Sequence, residues 1–583
     1  MCEVIKNHWI AIILAFIVGL IIVLPNFTSI YKTENFSGIY PMFNDDESYY
    51  LGITKEVYDG HYNSGNTFIK EHKERPALQV LFFEAIPAIG AKLLGFSVPE
   101  LFVFNDFLLP FFGVILLYIL IFSITGYKYI SSILSFLFYF MFLASFNRPI
   151  SPQLGFLVFL LGIFLVWKIV SKRHNIKTFL LLNAFLAAIF SSLVYIYPFY
   201  WTAIIVLYVI SFLILIVKEG EFTHFIKGFG IFSLISAFLL LPYGLSVLKA
   251  IGDPAFMEAS MRNGLVFTHW PGAFFNVAFI LFCFPIVYLL GSQIKDKKEL
   301  LFCYSLILSG TALNWQNVIT GKILQFSSHY YMITIFFIFL IFSILGKNIL
   351  DSHLENERWD YKKFIASFLA TILVLVIIFK QKNEPLASFQ NILSPPDISK
   401  IQNLMPTLSW LSKNTLPDSA IYVLGDDYDT HVPVYTESNL YRSGYAGMSL
   451  VSDDELENRW IIQNFWSDIN AETVKGNHRS IWINKFQDTY ANKEVRRKIL
   501  KLITGKKYPE SVLVEQRYID RVLEKSSQFK KAGFEKALKT FEADYIILDT
   551  GDSRYRGLEE QFKKYSFLQN ITRIGETIIY KVN

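Results

Sequence analysis

Up to about residue 380 the chain alternates long apolar runs with short polar connections; beyond about 390 the apolar runs become short and strand-like. Crossing a bilayer takes about 20 mostly apolar residues in a helix. Backbone groups in lipid must be satisfied within the segment, which selects helices over isolated strands. The runs near 8–24, 102–125, 128–146, 153–170, 178–195, 198–217, 229–251, 273–291, 300–315, 329–346 and 363–380 therefore predict about eleven spans. The run Ala77 to Leu94 contains Glu84, Pro87 and Lys92; it reads as a helix lying in the interface. In the tail, Ala420 to Leu424, Tyr545 to Leu548 and Thr577 to Val582 read as strands. Between them 404–413, 453–468 and 557–565 read as helices. This alternation predicts a small α/β domain, with Ser394-Pro395-Pro396 as the linker to it.

Composition agrees with lipid contact. Of 583 residues, 53% are hydrophobic and 18% charged, and the mean hydropathy is +0.38. A net charge of +5 is small for this length and implies no nucleic-acid partner. The three cysteines, Cys2, Cys283 and Cys303, have no metal or disulfide spacing.

Lysines and arginines in short connections orient the spans. Lys172-Arg173-His174 with Lys177, Lys218 with Lys227, Lys295 with Lys297-Lys298, and Lys347 to Lys363 are the basic connections. Placing them in the cytoplasm puts the N-terminus inside and 25–100, 147–152, 252–272, 316–328 and the tail outside. Lys6 before the run from Trp9 to Leu24, with Pro25-Asn26-Phe27 after it in place of a small-residue cleavage site, reads as a signal anchor. The expected organisation is a 1–24 signal-anchor helix, a 25–100 first extracytoplasmic loop, a 101–380 multi-span domain and a 390–583 extracytoplasmic α/β domain. The expected location is the plasma membrane, multi-pass.

The sharpest local signal is Asn44-Asp45-Asp46-Glu47-Ser48-Tyr49-Tyr50, followed by Glu71-His72-Lys73-Glu74-Arg75-Pro76. Asn44 can cap a helix with Glu47 at the capping-box position, and Gly60 can end it. The same helix sets Asp45 over Tyr49 and Asp46 over Tyr50, at i,i+4 spacing. A carboxylate beside an aromatic ring suits a sugar: the acid takes a hydroxyl proton and the ring packs on the C–H face.

A first span, an acidic pair early in an outer loop, surface-lying helices in that loop, many further spans and a soluble outer tail resemble the integral-membrane glycosyltransferases of the GT-C superfamily. The likeness is greatest to the mannosyltransferase and aminoarabinose-transferase-like branches. The resemblance implies a polyprenyl-phosphate sugar donor, with Asp45 or Asp46 as the general base. It extends over most of the chain as architecture, but no second acidic pair matches in a later outer loop. A divalent cation is left open as cofactor, and no metal ligand is assigned. Outward-facing acids also require a donor that has crossed the membrane, because nucleotide sugars are cytosolic.

Cations for the departing phosphate are sought on the same side: Arg75, Arg148, Arg262, His269, Lys322 and His329. Arg148, in a very short loop, and His329, at a span end, are preferred. The expected substrate contacts are Glu47, Tyr49, Tyr50, Glu74, Arg75, Arg148, Lys322 and His329. Asp106 and Glu100 sit near a span entry, where helix-start roles suffice. Gly425-Asp426-Asp427 reads as a solvated turn. The acceptor is not specified by the sequence. A transporter or flippase for a lipid-linked molecule, and a scaffold with a partner-binding tail, are the alternatives.

Overall fold

The structure is a computed structural model. It describes residues 2–583 except 44, 143–147, 149–150, 172–173, 221, 325 and 355–360; the side chains of 2–5, 45, 219, 327, 362–363, 384–385 and 388–389 also lie outside the described set.

The first helix, α1 (Cys2–Lys32), runs through Pro25 and past the expected end at residue 24. A loop segment follows with α2 (Asp45–Asp59) and α3 (Ala85–Leu94), then a bundle of α4 (Val98–Thr125), α5 (Lys128–Met141), α6 (Ser151–Ser171), α7 (Ile176–Ile196), α8 (Pro198–Glu219) and α9 (Phe222–Leu239). The bundle continues through α10 (Leu241–Ile251), α11 (Phe256–Arg262), α12 (Phe274–Leu290), α13 (Lys297–Thr320), α14 (Tyr330–Leu354) and α15 (Tyr361–Gln381). Among the described residues nine helices are long and apolar enough to cross a membrane: α1, α4, α6 to α9, α12, α14 and α15. The sequence predicts about eleven, and two of those runs fall outside these nine. α5 is short, and α13 is long but carries Glu299, Asn314 and Asn317 on its buried side. The run 229–251 breaks at Leu240, with Pro242 in the first turn of α10. The apolar 77–94 segment is no span: its helix, α3, has only 10 residues.

Close crossings use small residues, as membrane helices do. A Cβ at Gly19 would come within 2.8 Å of the Phe107 carbonyl oxygen, and one at Gly113 within 2.7 Å of the Tyr139 ring. α13 is joined to its neighbours by amides: Asn276 Nδ2 donates to Asn314 Oδ1 at 2.9 Å, and Asn314 Nδ2 to Thr334 Oγ1 at 2.8 Å.

The tail holds a five-stranded sheet in the order β4-β3-β5-β7-β6. Its strands are β3 (Ala420–Leu424), β4 (Asn439–Leu440), β5 (Tyr545–Asp549), β6 (Leu568–Ile574) and β7 (Thr577–Val582). The longer helices between α15 and residue 504 are α16 (Asn383–Leu393), α17 (Met405–Asn414), α18 (Tyr428–Tyr435), α19 (Asp453–Gln463) and α20 (Gln487–Thr504). β4, β3 and β5 run parallel, and β7 and β6 are antiparallel additions. A separate ribbon pairs β1 (Val266–Phe267) with β2 (Lys322–Ile323). Both faces of the main sheet are covered. Tyr422, Leu424 and Ile546 pack with Phe534 and Phe562 on one face, while Ile421, Val423 and Ile547 pack with Leu408 and Val432 on the other. Burial on both faces explains why β3 and β5 read as unbroken apolar runs. β4, two residues long, and β6, with mostly exposed positions, have no such signature.

The first loop and the tail pack against each other. Leu440 N donates to the Phe68 carbonyl, and Asn439 Nδ2 to that of Thr67 at 2.9 Å, which adds the loop to the sheet edge. Ala446 joins Ile53, Val57, Phe68 and Leu81 in one core. His72 Nε2 meets both Glu455 oxygens at 2.8 and 2.9 Å, and Arg459 lies 3.0 Å from Glu71. From the last turn of α11, fully buried Arg262 pairs with Asp453 and donates to the Gly447 and Val451 carbonyls at 2.8 and 2.5 Å.

Candidate active site

Helix α2 starts where its acids meet the positive end of the helix dipole. Glu47 Oε2 accepts the Phe43 N–H at 2.8 Å, one residue before the expected cap Asn44. Gly60, at φ +112°, ends the helix as anticipated. The Asp45 side chain and Asn44 lie outside the described residues.

Asp46 and Glu47 serve different surroundings. Glu47 borders a cavity of about 20 Å³ with Asn26, Tyr40, Phe102 and Asp106, room for about one water. Burial raises its carboxyl pKa well above the usual range, and the Asp106 charge adds to this against the Phe43 N–H. The Glu47 side chain thus ties α2 to the spans. Asp106 accepts from Asn26 of α1 at 3.0 Å and from Gln153 of α6 at 3.4 Å. Three spanning helices thus converge on one carboxylate beneath α2. Glu100 closes a capping box with Ser97, the helix-start role expected of it.

Asp46 is half-exposed and pairs with Arg148, Oδ2 to Nη1, at 2.7 Å. Arg148 Nη2 also donates to Tyr197 Oη at 3.3 Å. Tyr197 is extended, as a residue before proline must be, so α7 ends there and the ring turns to the arginine. Burial works to lower the Arg148 pKa, but Tyr197 and Asp46 hold it above its ordinary value, and the guanidinium stays charged. Burial pushes the Tyr197 hydroxyl up to about 12, opposed by the Arg148 charge. His329 packs its ring 4.6 Å from Phe199 and 6.0 Å from Tyr197. Burial, aided by the Arg148 charge, pulls its pKa down to about 4. It is a neutral imidazole at neutral pH, which corrects the expectation of a phosphate-binding cation.

The tyrosines are placed differently from expectation. The Tyr49 ring is not an open platform: it stacks with Phe68 at 5.9 Å and meets Tyr445 at 5.6 Å. Ser48 Oγ and Tyr445 Oη lie 2.6 Å apart, which ties α2 to the tail. Tyr50 is within electrostatic range of Asp46 and Tyr197 and remains in the cluster. Glu74 is exposed. Arg75 belongs to the seam, 3.8 Å from Asp253 and 3.5 Å from the Leu450 carbonyl. Lys322 sits on the β1–β2 ribbon with its ammonium 5.6 Å from the Phe267 ring centre. The Asp426-Asp427 turn stands at the carboxyl edge of β3 beside a cavity of about 1270 Å³, with Arg554 bound to Asp426. Asn26, Gln153, Tyr197 and Tyr445 were not singled out from sequence. Tyr197 had a usable signal, an aromatic residue before proline at a span junction.

No protein-family model matches the chain, and no curated protein matches it. Among solved structures it is similar to ArnT from Cupriavidus metallidurans in the apo state, at 10% identity and a TM-score of 0.47, covering 99% of this chain and 98% of that one. It is similar to the same protein bound to undecaprenyl phosphate at 9% identity and a TM-score of 0.46, covering 97% of each chain. It is also similar to the arabinofuranosyltransferase AftD from Mycobacteria at 11% identity and a TM-score of 0.49, covering 99% of this chain and 40% of that one. The apolar helices and the sheet define a multi-pass helical membrane protein whose C-terminal α/β domain is clamped to its first long loop.

Proposed function

We propose that the chain is a membrane glycosyltransferase of the GT-C kind, moving a sugar from a polyprenyl-phosphate donor to an acceptor hydroxyl with Asp46 as general base. The observation that carries this reading is the Asp46–Arg148 pair at 2.7 Å. It sets a carboxylate on a loop helix beside a charged guanidinium between two bundle helices, the partners that a hydroxyl proton and a phosphate need. The pair lies on the side of the bundle that carries the tail, read as the outer face from the basic connections. A donor there has to be lipid-linked.

A donor phosphate docking on Arg148 in a bidentate manner releases Asp46 from its ion pair. The acceptor oxygen then attacks the anomeric carbon, and the carbon–oxygen bond to phosphate breaks. Its electron pair leaves with the polyprenyl phosphate, and the hydroxyl proton passes to Asp46. In-line displacement inverts the anomeric carbon. Neutral Tyr197 and Tyr50 line the same cluster and offer hydroxyls to the sugar or phosphate. Among the described residues no group of three metal-ligating side chains is found.

The test is transfer from a panel of radiolabelled polyprenyl-phosphate sugars by the full-length protein in nanodiscs, with membrane extract as acceptor source. Asp46→Asn should lower kcat by about 10²- to 10⁴-fold. Arg148→Gln should lose donor binding, with Arg148→Lys recovering part of it. Full transfer by Asp46→Asn together with loss in Asp45→Asn would move the base one residue. Survival of transfer in both would return the acids to helix capping.

A further inference from the structure

Helix α20 (Gln487–Thr504) in the tail has no fully buried residue. Val495, Ile499, Leu502 and Ile503 follow the i, i+4, i+7, i+8 spacing that makes one helical face. In a helix packed on a core this stripe would be covered, yet Leu502 is 86% and Ile503 73% exposed. The following loop is folded back along the helix by Glu494, which accepts from Ser511 N at 3.0 Å and from Arg497. That brings Lys506, Lys507 and exposed Val512 to the same region. Residues 487–512 hold seven Lys and Arg against three Asp and Glu. Among the described residues, Lys493, Arg496, Lys498, Lys501, Lys506 and Lys507 have no ion-pair partner.

The position of α20 says what covers this face. The Arg496 guanidinium lies 5.5 Å from the centre of the Trp270 ring. A Cβ on Gly272 would come 3.6 Å from the Asn492 side-chain oxygen. Trp270 and Gly272 immediately precede α12, one of the nine membrane-crossing helices. The middle of α20 is thus one side-chain length from where the chain enters the bilayer.

We propose that α20 is an amphipathic surface anchor for the tail, lying on the bilayer with its apolar stripe at the headgroup–acyl boundary and its cations on anionic lipid headgroups. An exposed Leu/Ile face, an excess of unpaired cations and continuity with a span entry together fit a lipid surface. This does not depend on the transferase reading. It fixes the height and tilt of the tail above the bundle.

The experiment uses the full-length protein in nanodiscs of phosphatidylcholine with or without phosphatidylglycerol. An environment-sensitive fluorophore is attached at Leu502→Cys or, as an exposed control, at Glu472→Cys. Cys2→Ser is the background, because Cys283 and Cys303 are buried. Lipid-borne nitroxide should quench position 502 at least about threefold more than position 472, and phosphatidylglycerol should widen the gap. Lys498→Glu with Lys501→Glu, both on exposed positions, should remove the phosphatidylglycerol effect without moving Tm. Equal nitroxide quenching at 502 and 472 in both lipids overturns the proposal. So does shielding of 502 from aqueous iodide without nitroxide quenching, which would mean that protein covers the face. A phosphatidylglycerol effect that survives the charge reversal overturns the role of the cations.

Discussion

The membrane bundle and the loop–tail unit both bury polar groups, but of different kinds. Inside the bundle they are hydroxyls and amides answered within one helix or by its neighbour: Ser135 donates to the Ser131 carbonyl at 2.7 Å, and Asn314 Nδ2 to Thr334 Oγ1 at 2.8 Å. The ion pair of Lys347 with Glu299 joins the first turn of α13 to the last part of α14, at the bundle's end. The loop–tail unit buries whole charges. Arg262, Glu457 and Arg459 are each at most 1% exposed, and their partners come from segments far apart in the chain. In lipid every unpaired charge is expensive, so the bundle is held by shape and close packing. The loop–tail unit, with water at its edges, can use ion pairs as keys that admit one register. Helix α2 hangs between the two regimes: Glu47 faces Asp106 of the bundle, while Ser48 reaches Tyr445 of the tail. The candidate base is therefore positioned by both.

The strongest way to break this contrast is to remove one key. Arg262→Ala leaves Lys485 as the one cation on Asp453 among the described residues and strips donors from the Gly447 and Val451 carbonyls. Truncating one member of a buried pair costs about 3–5 kcal/mol. The expected outcome is a tail that melts early and is cut by protease at temperatures where the bundle stays helical. An unchanged proteolysis profile would mean that the seam is held by its apolar core alone.

Glu84 is the exception that sharpens the contrast, a buried acid in the loop–tail unit whose Oε2 has no hydrogen-bond partner. Burial pushes its carboxyl up to about 7, against its own backbone N–H. The folded pKa is above the unfolded one, so the folded state holds its proton longer. Stability is fully present below the unfolded pKa and falls as pH rises through about 7. Ionisation there costs roughly 3 kcal/mol, an order-of-magnitude figure from the size of the shift. Glu84→Gln should therefore raise stability at pH 8 and leave it nearly unchanged at pH 5, read as Tm against pH. Equal gains at both pH values would show that the folded and unfolded pKa values coincide and that the carboxyl is ionised at both.

The two regions also differ in how far the amino-acid sequence discloses them. Apolar length alone marks α4, α6, α7 and α14, because lipid leaves the backbone no alternative to helix. It marks the run 300–315 but not the polar inside of α13, since hydropathy does not see Asn314 bonded across to Asn276. β3, β5 and β7 are legible because two-sided burial writes them as apolar runs, whereas β4 exists only because Thr67 and Phe68 supply its other edge. In the candidate site, Asp46 and Arg148 each carry a local signal, an acidic cluster opening a helix and a cation in a very short loop. Their pairing across 102 residues is tertiary and has none. The seam was missed for the same reason: His72 and Glu455 are ordinary surface residues until the fold brings them together.

The smallest effect, and the finest test of the contrast, lies inside the bundle. Asn183 Nδ2 donates to its own helix, and Tyr208 of α8 donates to Asn183 Oδ1 at 2.5 Å, joining α7 to α8. Asn183→Leu keeps the volume and removes the only side-chain amide of that crossing, leaving the Tyr208 hydroxyl to find another acceptor. Interhelical hydrogen bonds in membranes average well under 2 kcal/mol, because the unfolded state in lipid also finds partners. A loss of about 1 kcal/mol is expected, measured by denaturation in mixed micelles, and Tyr208→Phe in the same background should add little. A loss as large as that of Arg262→Ala would show that polar keys govern the bundle as they govern the loop–tail unit.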